Sequence, residues 1–146
     1  MAKIIDNISF DALGYMFDFE LRPRATIISG DTGSGKSFFC HCLKEASNDP
    51  ENRGRFSNFV LFEHNLEDIE SIRQKKDKVI IIDNADRLLA DNAGLIEHIA
   101  TDYDNQYIII GRRLYDIDVS PNHHATVKEK DGKFTLDYKW NVPGWY

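Results

Sequence analysis

The sequence predicts an α/β fold: a mainly parallel sheet flanked by helices, with an antiparallel hairpin at each terminus. Two observations support this prediction. Short apolar runs rich in β-branched residues alternate with amphipathic segments of helical length, a pattern typical of parallel sheets with right-handed crossovers. Segments of alternating apolar and polar residues stand near both termini, and this alternation is typical of hairpins with one solvated face.

The length of the chain, 146 residues, fits one domain. Hydrophobic residues make up 42% of it, which is enough for a packed core. No low-complexity segment or Pro/Gly-rich linker divides the chain. We expect three parts within residues 1–146: an N-terminal hairpin over 1–24, a central core over 25–113, and a C-terminal hairpin with an aromatic tail over 114–146.

Each element has its own local signal. The first hairpin is predicted from strands Lys3–Phe10 and Tyr15–Leu21 around a turn at Ala12–Gly14. An Asp-Gly turn at 131–132 predicts the second hairpin, between strands 125–130 and 134–138. The apolar runs predict four core strands, at Ala25–Ser29, Phe59–Glu63, Val79–Asp83 and Tyr107–Ile110. The amphipathic segments predict helices at Lys36–Ala46, Leu66–Gln74, Ala85–Ala90 and Leu95–Asp102.

Charge and hydropathy exclude several classes of protein. The net charge of −6 argues against a nucleic-acid partner, because phosphate neutralisation needs clustered Lys and Arg, and here they form only short groups. No stretch approaches the roughly 20 apolar residues of a membrane-spanning helix. The opening residues carry Asp6 and do not resemble a signal peptide. We therefore expect a cytoplasmic protein without a membrane segment.

The two cysteines are a weaker signal. Cys40 and Cys42 flank His41, and such a group could be a fragment of a metal site. No second cysteine pair exists, and residues two apart on a helix point in different directions. We therefore expect both thiols to be packed in the core or simply exposed.

The most informative segment reads Gly-Asp-Thr-Gly-Ser-Gly-Lys-Ser at 30–37 and fits G-x-x-x-x-G-K-[ST] at every fixed position. It lies between a predicted strand and a predicted helix, as a phosphate-binding loop requires. Glycines permit turns that aim N–H groups at phosphate oxygens, and the helix N-terminus adds its dipole. Lys36 supplies a charge for the β- and γ-phosphates, and the Ser37 hydroxyl is placed to ligate Mg²⁺. The predicted nucleotide-binding residues are Gly30, Asp31, Thr32, Gly33, Ser34, Gly35, Lys36, Ser37 and Phe38.

Together with this loop, the apolar strand that ends in Asp83 resembles the P-loop NTPase superfamily over about residues 25–113. With one further strand between the two motifs, the chain is similar to the branch that contains AAA+, STAND and ABC-type ATPases, as a minimal single-domain member. The resemblance implies a P-loop NTPase sheet, ATP as the ligand, and Asp83 as a residue that holds Mg²⁺ through water. The Asn-Lys-x-Asp guanine motif of GTPases is missing, which favours adenine.

The residue after Asp83 departs from the pattern of that branch. An acidic residue usually orients the attacking water there, whereas this chain has Asn84. An amide holds a water but cannot accept its proton, which puts fast hydrolysis in doubt. Glu63 and Asp86 are carboxylates that could substitute. Glu63 equally suits a surface position, whereas Asp86 better suits a charge favoured by the N-terminal dipole of a helix.

Two arginines follow Gly111 at the end of the fourth core strand. STAND and AAA+ proteins carry a polar or basic sensor of the γ-phosphate at that place. The resemblance therefore implies this role for Arg112 or Arg113, with a solvated surface position as the alternative. The predicted catalytic residues are Lys36, Glu63, Asn84, Arg112 and Arg113.

Two functions of different classes follow. The set of Lys36, Ser37 and Asp83 favours slow or partner-stimulated ATP hydrolysis that acts as a conformational switch. Asn84 favours a non-hydrolysing module that presents an ATP-dependent surface to a protein partner. A small-molecule kinase fits less well, because little chain is left between the strands for a lid. The aromatic tail over 140–146 either packs on its own domain or docks onto a protein partner or a second copy.

Overall fold

The computed structural model describes residues 5–30, 36–52, 54–62, 69–112 and 123–138. The strands are β1 (Asn7–Ala12), β2 (Tyr15–Glu20), β3 (Ala25–Ser29), β4 (Phe59–Phe62), β5 (Val79–Ile82), β6 (Gln106–Gly111), β7 (His124–Lys130) and β8 (Lys133–Tyr138). The helices are α1 (Lys36–Asn48), α2 (Ala85–Ala90) and α3 (Ala93–Thr101), with short 3-10 helices at Pro50–Asn52 and Ile69–Gln74.

The strands form one eight-stranded sheet in the order β1-β2-β8-β7-β3-β6-β5-β4. Neighbouring strands from β7 to β4 pair in parallel. The other half consists of two antiparallel hairpins, β1–β2 and β7–β8, which are joined by parallel pairing of β2 with β8. The α/β class and the hairpins near both termini are confirmed. The sheet as a whole is mixed, because the hairpins make up its other half.

Helices cover both faces of the central strands, which explains why these strands are apolar throughout. All four residues of β5, Val79–Ile82, are buried. On one face, α1 packs Phe39 in the same core cluster as Ile28 of β3. On the opposite face, α2 contributes Leu88 to a second cluster that contains Ile27. Each such side chain contributes about 1.5–3 kcal/mol when it is fully buried.

Aromatic rings connect the hairpins to α1. The Phe17 ring of β2 stacks on Phe134 of β8, with centroids 4.7 Å apart and an interplanar angle of 8°. Phe17 also lies 5.8 Å from Phe39 of α1. These contacts place β2 and β8 side by side beneath the helix, so the hairpin half shares the core of the parallel half.

The described part of the short helix predicted at Leu66–Gln74 is helical. It is a 3-10 helix over Ile69–Gln74. Ile69 and Ile72 are both buried there, and residues three apart face the same side of a 3-10 helix because it has three residues per turn. The predicted start of that helix lies outside the described residues. Two other helices are longer than predicted: α1 continues to Asn48, and α3 begins at Ala93.

Both cysteines lie in the core. Cys40 and Cys42 are free thiols within the cluster that α1 forms with the sheet, and burial raises the pKa of the Cys42 thiol. Within the described ranges, no three His, Cys, Asp or Glu side chains lie together as metal ligands. Of the two positions expected for the cysteines, core packing or exposure, the structure shows core packing for both. Among the described helices, none has the length and apolar character needed to span a membrane.

Candidate functional site

Three of the predicted site segments meet at one edge of the sheet. β3, β5 and β6 are parallel, so their carboxyl ends lie at the same edge, which we call the carboxyl edge. β6 lies between the other two strands, with Ser29 opposite Gly111 and Ile82 opposite Ile109. The residues that follow these strands, Gly30, Asp83 and Arg112, consequently lie at this edge.

The chain connections diverge at β3. After β3 the chain crosses to β4, the far strand on one side, whereas after β6 it crosses to β7 on the other side of β3. In open α/β sheets, ligands bind in the crevice outside the carboxyl ends of the strands where the connections diverge in this way. The topology therefore makes the end of β3 a candidate position for a ligand site.

Gly30 and Lys36 bracket the glycine-rich segment. Gly30 directly follows β3 and has a φ of +146°, a conformation that residues with a side chain rarely adopt. Lys36 is the first residue of α1 and is only 8% exposed. Its ammonium donates a hydrogen bond to the carbonyl oxygen of Gly30, so the two ends of the segment meet.

The turn after β5 holds the predicted metal ligand. Asp83 is half-buried, and its backbone N–H donates to the carbonyl oxygen of Phe62 at 2.8 Å. Its Oδ1 accepts the backbone N–H of Asn84 at 2.9 Å. Carboxylate oxygens are hard ligands, and proteins commonly bind Mg²⁺ through one or two carboxylates together with substrate phosphates. The position and chemistry of Asp83 suit that ion.

Asn84 adopts a left-handed backbone conformation, with φ 54° and ψ 43°. It precedes α2, and its side chain makes no capping hydrogen bond to that helix. Asn tolerates the left-handed region much better than most residues with a side chain. The shape of this turn therefore gives a physical reason for Asn, and not Glu, at the position after Asp83.

Asp86 lies in the first turn of α2 and also forms a hydrogen bond with the residue after β6. Its Oδ2 accepts the backbone N–H of Arg112 at 2.6 Å, which fixes the start of α2 to the end of β6. Arg112 is exposed. This contact joins residues 26 positions apart in the chain, so the sequence pattern gave no signal for it.

The ring of Phe38, a predicted nucleotide contact, packs among other aromatic rings. Its centroid lies 5.1 Å from that of Tyr15 at the start of β2, in an edge-on arrangement.

A cavity of about 230 Å³ lies beside the end of β3. It is lined by Ser29, His124, Ala125, Thr126 and Asp137. Its walls therefore combine the last residue of β3 with residues of the second hairpin.

The remaining predicted site residues lie outside the described part of the chain. These are Asp31, Thr32, Gly33, Ser34 and Gly35 of the loop, the side chain of Ser37, and the residues Glu63 and Arg113. The structure thus brings together Gly30, Lys36, Asp83, Asn84 and Arg112 at the carboxyl edge.

Comparisons with known proteins give no family for this chain. The sequence matches no protein-family model, and a search of curated proteins found no significant match.

Proposed function

We propose that the chain binds MgATP at the carboxyl edge and acts as a slow or partner-stimulated ATPase that switches conformation with its nucleotide. The observation that carries this proposal is the meeting of Gly30 and Lys36 at the point where the chain connections diverge. The motif residues at 30–37 thus connect a core strand directly to α1, which is the arrangement a triphosphate-binding loop needs.

Each group has a chemical role in this proposal. Lys36 donates to phosphate oxygens in place of the Gly30 carbonyl, and the first N–H groups of α1 add their positive dipole end. Asp83 holds Mg²⁺ at the neighbouring turn, where the metal neutralises charge on the β- and γ-phosphates. Arg112 follows the strand between these two groups, where an exposed arginine is available to approach the γ-phosphate.

The residue after Asp83 decides how fast hydrolysis proceeds. Asn84 cannot take a proton from water, and the carboxylate of Asp86 already accepts a hydrogen bond from Arg112. Both features favour slow turnover that a partner accelerates. The same features support a second candidate function, a module that binds ATP without hydrolysing it and presents a nucleotide-dependent surface to a protein partner.

The test measures MgATP binding and phosphate release for the parent, Lys36→Ala, Glu63→Gln and a matched control. Lys44→Ala is that control, because Lys44 is an exposed lysine of the same helix. We expect Lys36→Ala to weaken MgATP binding at least tenfold, because a charge-assisted hydrogen bond contributes about 1.5–3 kcal/mol. Lys44→Ala is expected to bind as the parent does.

The outcomes separate the candidate functions. Phosphate release above the level of Lys36→Ala supports the ATPase, and its loss in Glu63→Gln with binding retained identifies Glu63 as the catalytic acid. Binding without phosphate release supports the non-hydrolysing module. If the parent fails to bind MgATP, or binds it no better than Lys36→Ala does, the proposal is wrong.

A further inference from the structure

The cavity beside the end of β3 adjoins one end of the glycine-rich segment. Ser29, which lines this cavity, is the last residue of β3, and Gly30 follows it directly. The carbonyl oxygen of Gly30 accepts the hydrogen bond from Lys36, the residue proposed to bind phosphates. One wall of the cavity is therefore a single residue away from the carbonyl group that the phosphates are proposed to replace.

Side chains from three strands stand beside the cavity on one face of the sheet. Ala125 of β7 pairs with Ile28, which belongs to the core cluster formed with α1, so the next residue of β7, Thr126, stands on the opposite face. Thr126 pairs with Asp137 of β8, and residues directly opposite each other share a face. Ser29 follows Ile28 in β3 and stands on this face too. Two hydroxyls and one carboxylate are thus brought together here.

The order of the strands gives a bound nucleotide a direction. Asp83, the proposed magnesium ligand, follows β5, and Arg112, the proposed γ-phosphate contact, follows β6. Both strands lie on one side of β3, whereas β7 and β8, with the cavity, lie on the other side. The phosphates form a chain between the γ-end and the nucleoside. A nucleotide whose γ-end lies towards β5 and β6 therefore extends its nucleoside towards β7 and the cavity.

The size and chemistry of the cavity suit a ribose. Its volume of about 230 Å³ is below the range of about 300–1,000 Å³ typical of pockets that enclose a whole drug-sized ligand, so it fits one part of a nucleotide. An ionised carboxylate only accepts hydrogen bonds and repels phosphate, so Asp137 calls for a ligand group that donates. The two ribose hydroxyls are such donors, and carboxylates accept ribose hydroxyls in other nucleotide sites.

We propose that the cavity binds the ribose of the nucleotide, with the Asp137 carboxylate accepting hydrogen bonds from the 2′- and 3′-hydroxyls. This inference rests on the proposed function and names the ribose contact of the same site. The ammonium of Lys128 lies 3.6 Å from Oδ2 of Asp137, and both side chains are exposed, so this ion pair is weak and does not compete strongly with a ligand. The preferred ligands are therefore ribonucleoside triphosphates rather than their deoxy forms.

The test compares MgATP with the magnesium complex of 2′,3′-dideoxyATP, which has the same base and phosphates but lacks both hydroxyls. We expect the parent to bind MgATP about tenfold more tightly in equilibrium titrations, because hydrogen bonds to charged groups are strong. Asp137→Ala should remove this preference by weakening MgATP binding alone. Glu129→Ala is the matched control, because Glu129 is an exposed carboxylate of the same hairpin that pairs with Phe134 on the α1 face. Lys128→Ala should also keep the preference.

The preference is a ratio of two dissociation constants of one variant, so a partial loss of folded protein does not change it. A parent that binds both nucleotides equally overturns the ribose contact while the proposed function stands. A preference that persists in Asp137→Ala, or that Glu129→Ala removes as well, overturns the role of Asp137. A parent that binds neither nucleotide refutes the proposed function itself.

Discussion

The two edges of the parallel strands are built in opposite ways. At the amino edge, where β3, β6 and β7 begin, several polar groups are buried and bonded to one another. The Asp102 carboxylate accepts the Tyr107 hydroxyl at 2.5 Å, the Asn105 side-chain amide at 2.8 Å and the Asp104 backbone N–H at 2.8 Å. Buried polar groups that are fully bonded in this way make a region rigid and specific.

The same pattern continues along the amino edge. Gln106 donates to the carbonyl oxygens of Ile5 and Arg22 at 3.0 and 3.1 Å. His123 donates from Nδ1 to the carbonyl oxygen of Ala25 at 2.6 Å, since a carbonyl oxygen can only accept. These bonds attach residues near the N-terminus to the starts of β3 and β6, so this edge holds the sheet together.

The carboxyl edge leaves more of its charged groups accessible. Asp83 and Asp86 are half-buried and Arg112 is exposed, whereas Lys36 is buried and bonded to Gly30. Accessible charges are available to a ligand, whereas buried, bonded polar groups serve stability. We therefore expect the amino edge to contribute more to stability, and the carboxyl edge to be the place of the ligand binding that we propose.

Removing one carboxylate from each edge tests most directly whether the amino edge contributes more to stability. Asp102→Ala leaves the Tyr107 hydroxyl and the Asn105 amide without their acceptor, and we expect it to lower the free energy of unfolding by about 3 kcal/mol. Asp83→Ala removes a half-buried carboxylate whose loss costs about 1 kcal/mol or less. Urea unfolding of both variants measures the two costs. Equal costs at the two edges would contradict this expectation.

Lowering the pH should reduce the free energy of unfolding through two groups of the amino edge. We expect this effect to be the second largest. Burial raises the pKa of Asp102, but the hydrogen bonds from Tyr107, Asn105 and Asp104 outweigh it, so the pKa falls below its ordinary value of 3.8. Burial, aided by the nearby charges of Arg24 and Arg22, lowers the pKa of His123 below its ordinary value of 6.5. In both cases the unfolded chain binds protons more readily than the folded protein does.

The free energy of unfolding should therefore fall as the pH is lowered. His123 contributes its full stability above pH 6.5 and loses it as the pH falls through its lowered folded value. Asp102 contributes its full stability above pH 3.8 and loses it below that pH. Urea unfolding between pH 8 and pH 3 measures both steps. His123→Gln retains a donor for Ala25 and should flatten the upper step alone, and an unchanged upper step would exclude His123 as its cause.

Substitutions of Asn84, at the carboxyl edge, are expected to change the free energy of unfolding by a smaller amount. A left-handed conformation costs most residues about 1–2 kcal/mol, whereas Gly adopts it freely. We expect Asn84→Glu to lower the free energy of unfolding by about 1 kcal/mol and Asn84→Gly to change it little. Asn84→Glu also supplies a carboxylate after Asp83, so it should raise phosphate release despite its lower stability. A stable Asn84→Glu variant would show that the turn does not select the residue.

The sequence allowed most elements to be predicted, because their signals are local. Strands such as Val79–Ile82 are buried on both faces and therefore read as continuous apolar runs. The order of the strands has no such signal: β6 lies between β3 and β5 because of packing across the whole sheet. The pairing of β2 with β8 and the bond between Asp86 and Arg112 depend on that order, so neither was predictable.

The smallest expected effect concerns the bond between Asp86 and Arg112. Asp86→Ala removes the acceptor of the Arg112 backbone N–H, which is partly solvated, so we expect a cost of only about 0.5 kcal/mol. Hydrogen exchange detects so local a change: the Arg112 amide should exchange severalfold faster, while amides within β6 keep their protection. Asp91→Ala is the matched control, because Asp91 is an exposed carboxylate at the other end of α2. If the Arg112 amide is unaffected by Asp86→Ala, α2 and the end of β6 are independent, and the carboxyl edge is a set of separate turns instead of one connected site.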